Sequence, residues 1–157
     1  MRGKRSIIQI ILASALAICL KAQGLCVSAF EANMRTGPGG KFPISWVVGR
    51  YTPLIKLEKK GRWYRVEDQD GEKHWISASL VTTSYQCVSV KGTTANLRSG
   101  PGTNYSSVHY GFADKYTPFK RVNLKNDWYQ VEDESGYKFW VHNSTVWRPV
   151  TVSRIGF

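Results

Sequence analysis

Apolar and polar residues alternate in short stretches along most of this chain. Beyond residue 24 no segment keeps a helical period for a useful length. Trp63-Tyr64-Arg65-Val66-Glu67 sets Val66 between two charged neighbours, the two-residue period of a half-buried strand. Trp46-Val47-Val48 and Leu54-Ile55-Lys56-Leu57 are strand-like runs rich in β-branched and aromatic residues. Turn chemistry separates these runs. Lys59-Lys60-Gly61-Arg62 supplies one turn, and Asp68 to Gly71 forms a hairpin tip with a glycine available for positive φ. Lys73-His74-Trp75-Ile76 returns from that tip, and Ser77-Ala78-Ser79 turns tightly into Leu80 to Thr83. About five short strands without helices imply a small, strongly bent barrel, because a flat sheet of that size leaves its edges exposed.

The pattern occurs twice. ANMRTGPGGKFP from Ala32 returns as ANLRSGPGTNYS from Ala95, and WYRVEDQDGEKHWI from Trp63 returns as WYQVEDESGYKFWV from Trp128. Tyr51-Thr52-Pro53 recurs as Tyr116-Thr117-Pro118, and Asp133-Glu134-Ser135-Gly136 is the second hairpin tip. The second copy gains two residues between its first and second matching blocks. Units of roughly 60 residues are too long for solenoid repeats and read as tandem domains. The expected layout is a leader at 1–24, domains at 25–84 and 85–152, and a tail at 153–157.

The leader follows from Arg2, Lys4 and Arg5, the apolar run from Ile7 to Leu20, and Ala22-Gln23-Gly24 with small residues at the −3 and −1 cleavage positions. That layout is a secretory signal peptide, the alternative being an uncleaved anchor. It predicts a secreted or periplasmic protein with no stable membrane insertion after cleavage. The whole chain carries +11. Four of its basic residues lie in the leader, which leaves a moderately basic remainder that either favours anionic partners or serves solubility. No arginine-rich run or nucleic-acid motif is present, so nucleic acid is not an expected partner. Cys19 would leave with the leader. Cys26 and Cys87 each stand in Cys-Val-Ser and are expected to open the first strand of their repeat. First and last strands of a small barrel lie side by side, so Cys87 is placed to reach Cys26. The two readings are a disulfide in an oxidising compartment and two separately buried thiols.

Gly37-Pro38-Gly39 and Gly100-Pro101-Gly102 read as sharp loop reversals, with glycines flanking a fixed-φ proline. A phosphate cradle would need a following helix N-terminus and usually a lysine, and neither follows. The series Asn-x-Arg-x-Gly-Pro-Gly, a strand pair, Trp-Tyr-x-Val, Asp-Gly or Ser-Gly, then Trp-Ile or Trp-Val resembles the bacterial SH3-like (SH3b) repeat, from about Cys26 to Val150. The resemblance implies an all-β chain of two tandem small SH3-like β-barrels behind a signal peptide. It further implies a non-catalytic module that binds peptidoglycan or its peptides, or else an adaptor that binds an envelope protein and regulates or localises a wall enzyme. The family commonly has glycine before the second tryptophan, where this chain has His74 and Phe139.

No enzyme activity, cofactor or metal is expected. His74, His109 and His142 have no partner at metal-ligand spacing. Glu67-Asp68 and Glu132-Asp133 are adjacent on strands, so their side chains diverge, and they read as carboxylates flanking a turn. Aromatic residues make up 13% of the chain. Candidate ligand-binding residues in the first copy are Arg35, Tyr51, Trp63 and Tyr64. In the second they are Arg98, Tyr105, Tyr116, Trp128, Tyr129 and Tyr137. Tyrosine and tryptophan would supply contact area at low entropic cost and arginine a planar charge for carboxylates. Trp75 and Trp140 are weaker candidates, better read as core.

Overall fold

A computed structural model describes residues 23–149. The expected leader, apart from Gln23 and Gly24, and the expected tail lie outside the described residues. The first repeat forms β1 (Gln23–Val27), β2 (Glu31–Arg35), β3 (Ile44–Gly49), β4 (Pro53–Lys60), β5 (Trp63–Glu67), β6 (Lys73–Ser77) and β7 (Val81–Thr82). The second forms β8 (Gln86–Val90), β9 (Thr94–Arg98), β10 (Ser107–Asp114), β11 (Pro118–Lys125), β12 (Trp128–Glu132), β13 (Lys138–His142) and β14 (Val146–Trp147). Single 3-10 turns at Ala78–Leu80 and Asn143–Thr145 lead into the last strand of each repeat.

Each repeat is one antiparallel sheet. The strand orders are β3-β2-β6-β5-β4-β1-β7 and β10-β9-β13-β12-β11-β8-β14, the same path taken twice. Bending is built into the long strands. β4 pairs with β1 through its first half and with β5 through its second, and a register shift falls between Lys56 and Glu58. The matching shift in β11 falls between Arg121 and Asn123. Such bulges increase local twist and let one strand serve two layers. The roll closes through single pairs, Arg35 opposite Trp75 and Arg98 opposite Trp140.

Alternation fills the interiors. Val27, Met34, Leu54, Val66 and Ile76 pack one core, and Val88, Leu97, Phe119, Val131 and Val141 pack the other. Each such side chain contributes about 1.5–3 kcal/mol on burial. A third, smaller cluster of Cys26, Tyr51 and Cys87, with Tyr85 against it, sits where the repeats meet.

Two local details differ from the reading of the sequence, and a third gains its cause. β2 and β9 are strands in stretches to which the sequence reading assigned no element, with Ala32, Met34, Ala95 and Leu97 buried. Cys26 is the fourth residue of β1 rather than its first, because the strand begins at Gln23 and pairs that residue with Lys56. The flanking glycines of the two Gly-Pro-Gly loops are not at positive φ. A Cβ on Gly37 would overlap the Phe42 ring, and one on Gly100 the Tyr105 ring. Glycine stands there because an aromatic ring lies flush on the backbone.

Candidate binding site

The repeats are tied to each other at several points. Cys26 and Cys87 form a disulfide with Cα atoms 5.9 Å apart, closing a sequence separation of 61. A closure of that length contributes about 4 kcal/mol in the chain-entropy model. Tyr51 and Tyr85 meet edge-to-face at 5.6 Å, and the Tyr85 hydroxyl donates to the Val27 carbonyl at 3.4 Å. The β5–β6 hairpin tip reaches across: Gln69 Nε2 donates to the Val90 carbonyl at 3.3 Å, and Ser89 Oγ donates to Gln69 Oε1. Asp70 pairs with Lys115 at 3.7 Å. A hydrogen bond with Tyr116 holds the Lys115 ammonium above the ordinary lysine range, and the charge of Asp70 adds to it.

These ties leave a cleft of about 890 Å³ between the repeats. Its walls include Trp46 and Val47 of β3 and Tyr110 and Phe112 of β10, with Tyr116 beside them. Tyr110 is 81% exposed and Trp46 60%, large values for such rings. The two-residue gain of the second copy lies here. β9 pairs Arg98 with Ser107 and Asn96 with Phe112, whereas β2 pairs Arg35 with Ile44 and Asn33 with Val47. The extra residues form a bulge in β10, with Gly111 at φ 84°, in the strand that carries Tyr110.

Charge in the cleft runs against that of the chain. Asp68, Asp70, Glu72, Asp114, Asp133 and Glu134 line it, six of the eleven acidic residues in the sequence. Arg50 is the one lysine or arginine among the described lining residues, and its guanidinium lies 5.1 Å from the Tyr51 ring centroid. Asp68 and Asp133 hold their own hairpin tips: Asp68 accepts from the backbone of Asp70 and Glu72, and Asp133 from that of Ser135 and Tyr137. His74 links Ser45 Oγ at 2.8 Å to Asp68 Oδ2 at 3.3 Å, while Phe139 is buried in the second core. A smaller groove of about 470 Å³ lies beside the disulfide and includes Arg121 and Arg148.

Of the candidates read from sequence, only Tyr116 lines the cleft. Tyr51 and Tyr129, each 5% exposed, are core residues, so neither offers a ring to a ligand. Arg35 Nη1 donates to the Phe42 carbonyl at 2.7 Å, and Arg98 Nη1 to the carbonyls of Tyr105 at 2.8 Å and Thr103 at 3.2 Å. Both guanidiniums thereby brace the loops after β2 and β9, and Tyr105 lies on Gly100 within the same loop. Trp63, Tyr64 and Trp128 are half-buried, as are Trp75 and Trp140. Lys56 covers the Tyr64 ring at 4.6 Å, and His142 meets Trp128 edge-on at 5.2 Å. Tyr137 is exposed on the second hairpin. Sequence reasoning missed Trp46, Val47, Tyr110 and Phe112. One signal was available: Trp46-Val47-Val48 puts apolar residues on both faces of a strand in a barrel with only one inside.

Two small, bent, antiparallel barrels in tandem with 3-10 turns before their last strands define a pair of SH3-like domains. The family model of the bacterial SH3 domain matches residues 28–82 and 91–148, more than half of the chain, and the chain belongs to that family. It is similar to YrvJ of Bacillus subtilis, named for an N-acetylmuramoyl-L-alanine amidase, with 28% identity over 138 residues, covering 80% of this chain and 24% of that protein. It is also similar to LytH of Staphylococcus epidermidis, named for a cell wall amidase, with 30% identity over 79 residues, covering 46% of this chain and 27% of that protein. The chain thus spans about a quarter of the length of these relatives. Among solved structures, an NlpC/P60 family protein from Bacillus cereus aligns at 15% identity and a TM-score of 0.38, covering 82% of this chain and 57% of that one.

Proposed function

We propose that this chain is a non-enzymatic module that binds peptidoglycan or its peptides outside the cytoplasm. The observation that carries the reading is a pair of bacterial SH3 domains locked around one aromatic-walled cleft. The amidase names of the two relatives support a wall setting, and the matched region is a minor part of each of those proteins. Asp68 and Asp133 accept backbone N–H groups of their own hairpins, which supports a structural role for these carboxylates. Among the described residues no helix is long and apolar enough to cross a membrane. The test is co-sedimentation of the purified, oxidised chain with sacculi at moderate salt. Retention that falls when Trp46→Ala and Tyr110→Ala are combined is the expected result. No retention of the wild type removes the wall as ligand, and a single dominant protein crosslink in cells would then point to an adaptor for an envelope protein.

A further inference from the structure

We propose that the cleft takes an extended peptide bearing a free primary ammonium group, laid along the outer edges of β3 and β10 with its charge among the hairpin carboxylates. The source follows from the wall-binding reading, on which this inference rests: the uncrosslinked side-chain amine of a stem peptide. Both strands end their sheets, β3 pairing only with β2 and β10 only with β9. Their outer backbone groups are therefore available to an added strand. The cleft meets these edges side-on. Trp46, Val47, Val48 and Gly49 line it in unbroken succession, as do Phe112, Ala113 and Asp114. Successive residues of a strand point to opposite faces, so an unbroken run of lining residues means that the backbone edge itself borders the space.

Charge complementarity selects the occupant. Glu72, Asp114 and Glu134 are exposed and make no ion pair within the described chain, unlike Asp70 with its Lys115. Lining carboxylates in excess over cations attract an ammonium and repel a carboxylate, and the aromatic faces beside them add cation–π attraction. Arg35 and Arg98, which the sequence offered for a carboxylate, are committed to loop carbonyls, and the one arginine lining the cleft, Arg50, lies over the Tyr51 ring and is outnumbered by six carboxylates. The ligand's amine, rather than its acid, is the group this cleft can hold.

The probe is a synthetic stem pentapeptide with capped ends and one free lysine ε-ammonium, titrated against the oxidised chain beside its Nε-acetylated twin. Amide chemical shifts should move on β3 and β10, and acetylation should weaken binding by about tenfold, the sum of two or three surface charge contacts. Glu72→Gln, Asp114→Asn and Glu134→Gln combined should give the same loss while leaving the melting temperature near that of the wild type. Equal affinity for both peptides, or shifts away from these strands, overturns the inference. Sacculus retention with amine-indifferent peptide binding sinks this inference and keeps the wall reading. Amine-sensitive peptide binding without sacculus retention does the reverse. An unrelated capped, lysine-bearing peptide that binds equally well overturns the stem peptide as source.

Discussion

Tyr51 and Tyr116 stand at matching positions with the same left-handed backbone, φ 69° and 72°. Each donates its backbone N–H to the first strand of its repeat, Tyr51 to Val27 at 2.8 Å and Tyr116 to Val90 at 2.9 Å. A β-carbon at such φ costs roughly 1–2 kcal/mol, less for asparagine. In the first copy the ring offsets that cost, buried against Tyr85 and the disulfide. In the second, Tyr116 is half exposed at the cleft. Tyr51→Asn should therefore destabilise by about 3 kcal/mol, the cost of emptying an aromatic site less the relieved strain, and Tyr116→Asn by no more than about 1 kcal/mol. Urea unfolding of the two variants checks this, and equal losses would contradict it. Residue type in the sequence revealed the repeat but not this difference, since both tyrosines sit in the same tripeptide. Arg35 and Arg98 show the same limit: the sequence offers a planar charge, and only the loop geometry shows it already bound.

β10 differs from its counterpart β3 more than any other strand does. Its two extra residues make the bulge that carries Tyr110 at the cleft, with Gly111 supplying the positive φ. Open space surrounds that glycine, with the nearest contact for a Cβ being Ser107 at 3.9 Å, so only the backbone angle resists a side chain. Gly111→Ala should cost about 1–2 kcal/mol in stability and shift the amide resonances of Tyr110 and Phe112. Unchanged resonances and stability would mean that the bulge does not depend on glycine. The hairpins and long strands were legible from alternation and from the turn residues between them. β2 and β9 were not, because their two inward residues, alanine followed by methionine or leucine, directly precede the Gly-Pro-Gly loop and were absorbed into its motif. The two-residue gain was legible as a length change, though not as a bulge, since register is a property of the pair of strands.

Repetition along the chain gave the whole-molecule plan, but the cleft depends on how two barrels are set against each other, which no local period encodes. The ties that set it are a disulfide, a glutamine at a hairpin tip and a ring contact, each joining residues far apart in sequence. Hence, of the ligand candidates read from sequence, Tyr116 alone falls at the cleft, while Trp46, Val47, Tyr110 and Phe112 of its walls went unnoticed. The disulfide has a further mechanical consequence. It joins Cys26, near the end of β1, to Cys87, near the start of β8. A pull applied at Gln23 and Pro149 therefore runs along β1 to Cys26, crosses the sulfur bridge and bypasses the chain from residue 27 to residue 86. While the bond lasts the load falls on the second barrel and on the pairing of β1 with β4, and reduction would release roughly 200 Å of hidden contour. The bridge thus keeps most of one barrel out of the line of load while the other yields.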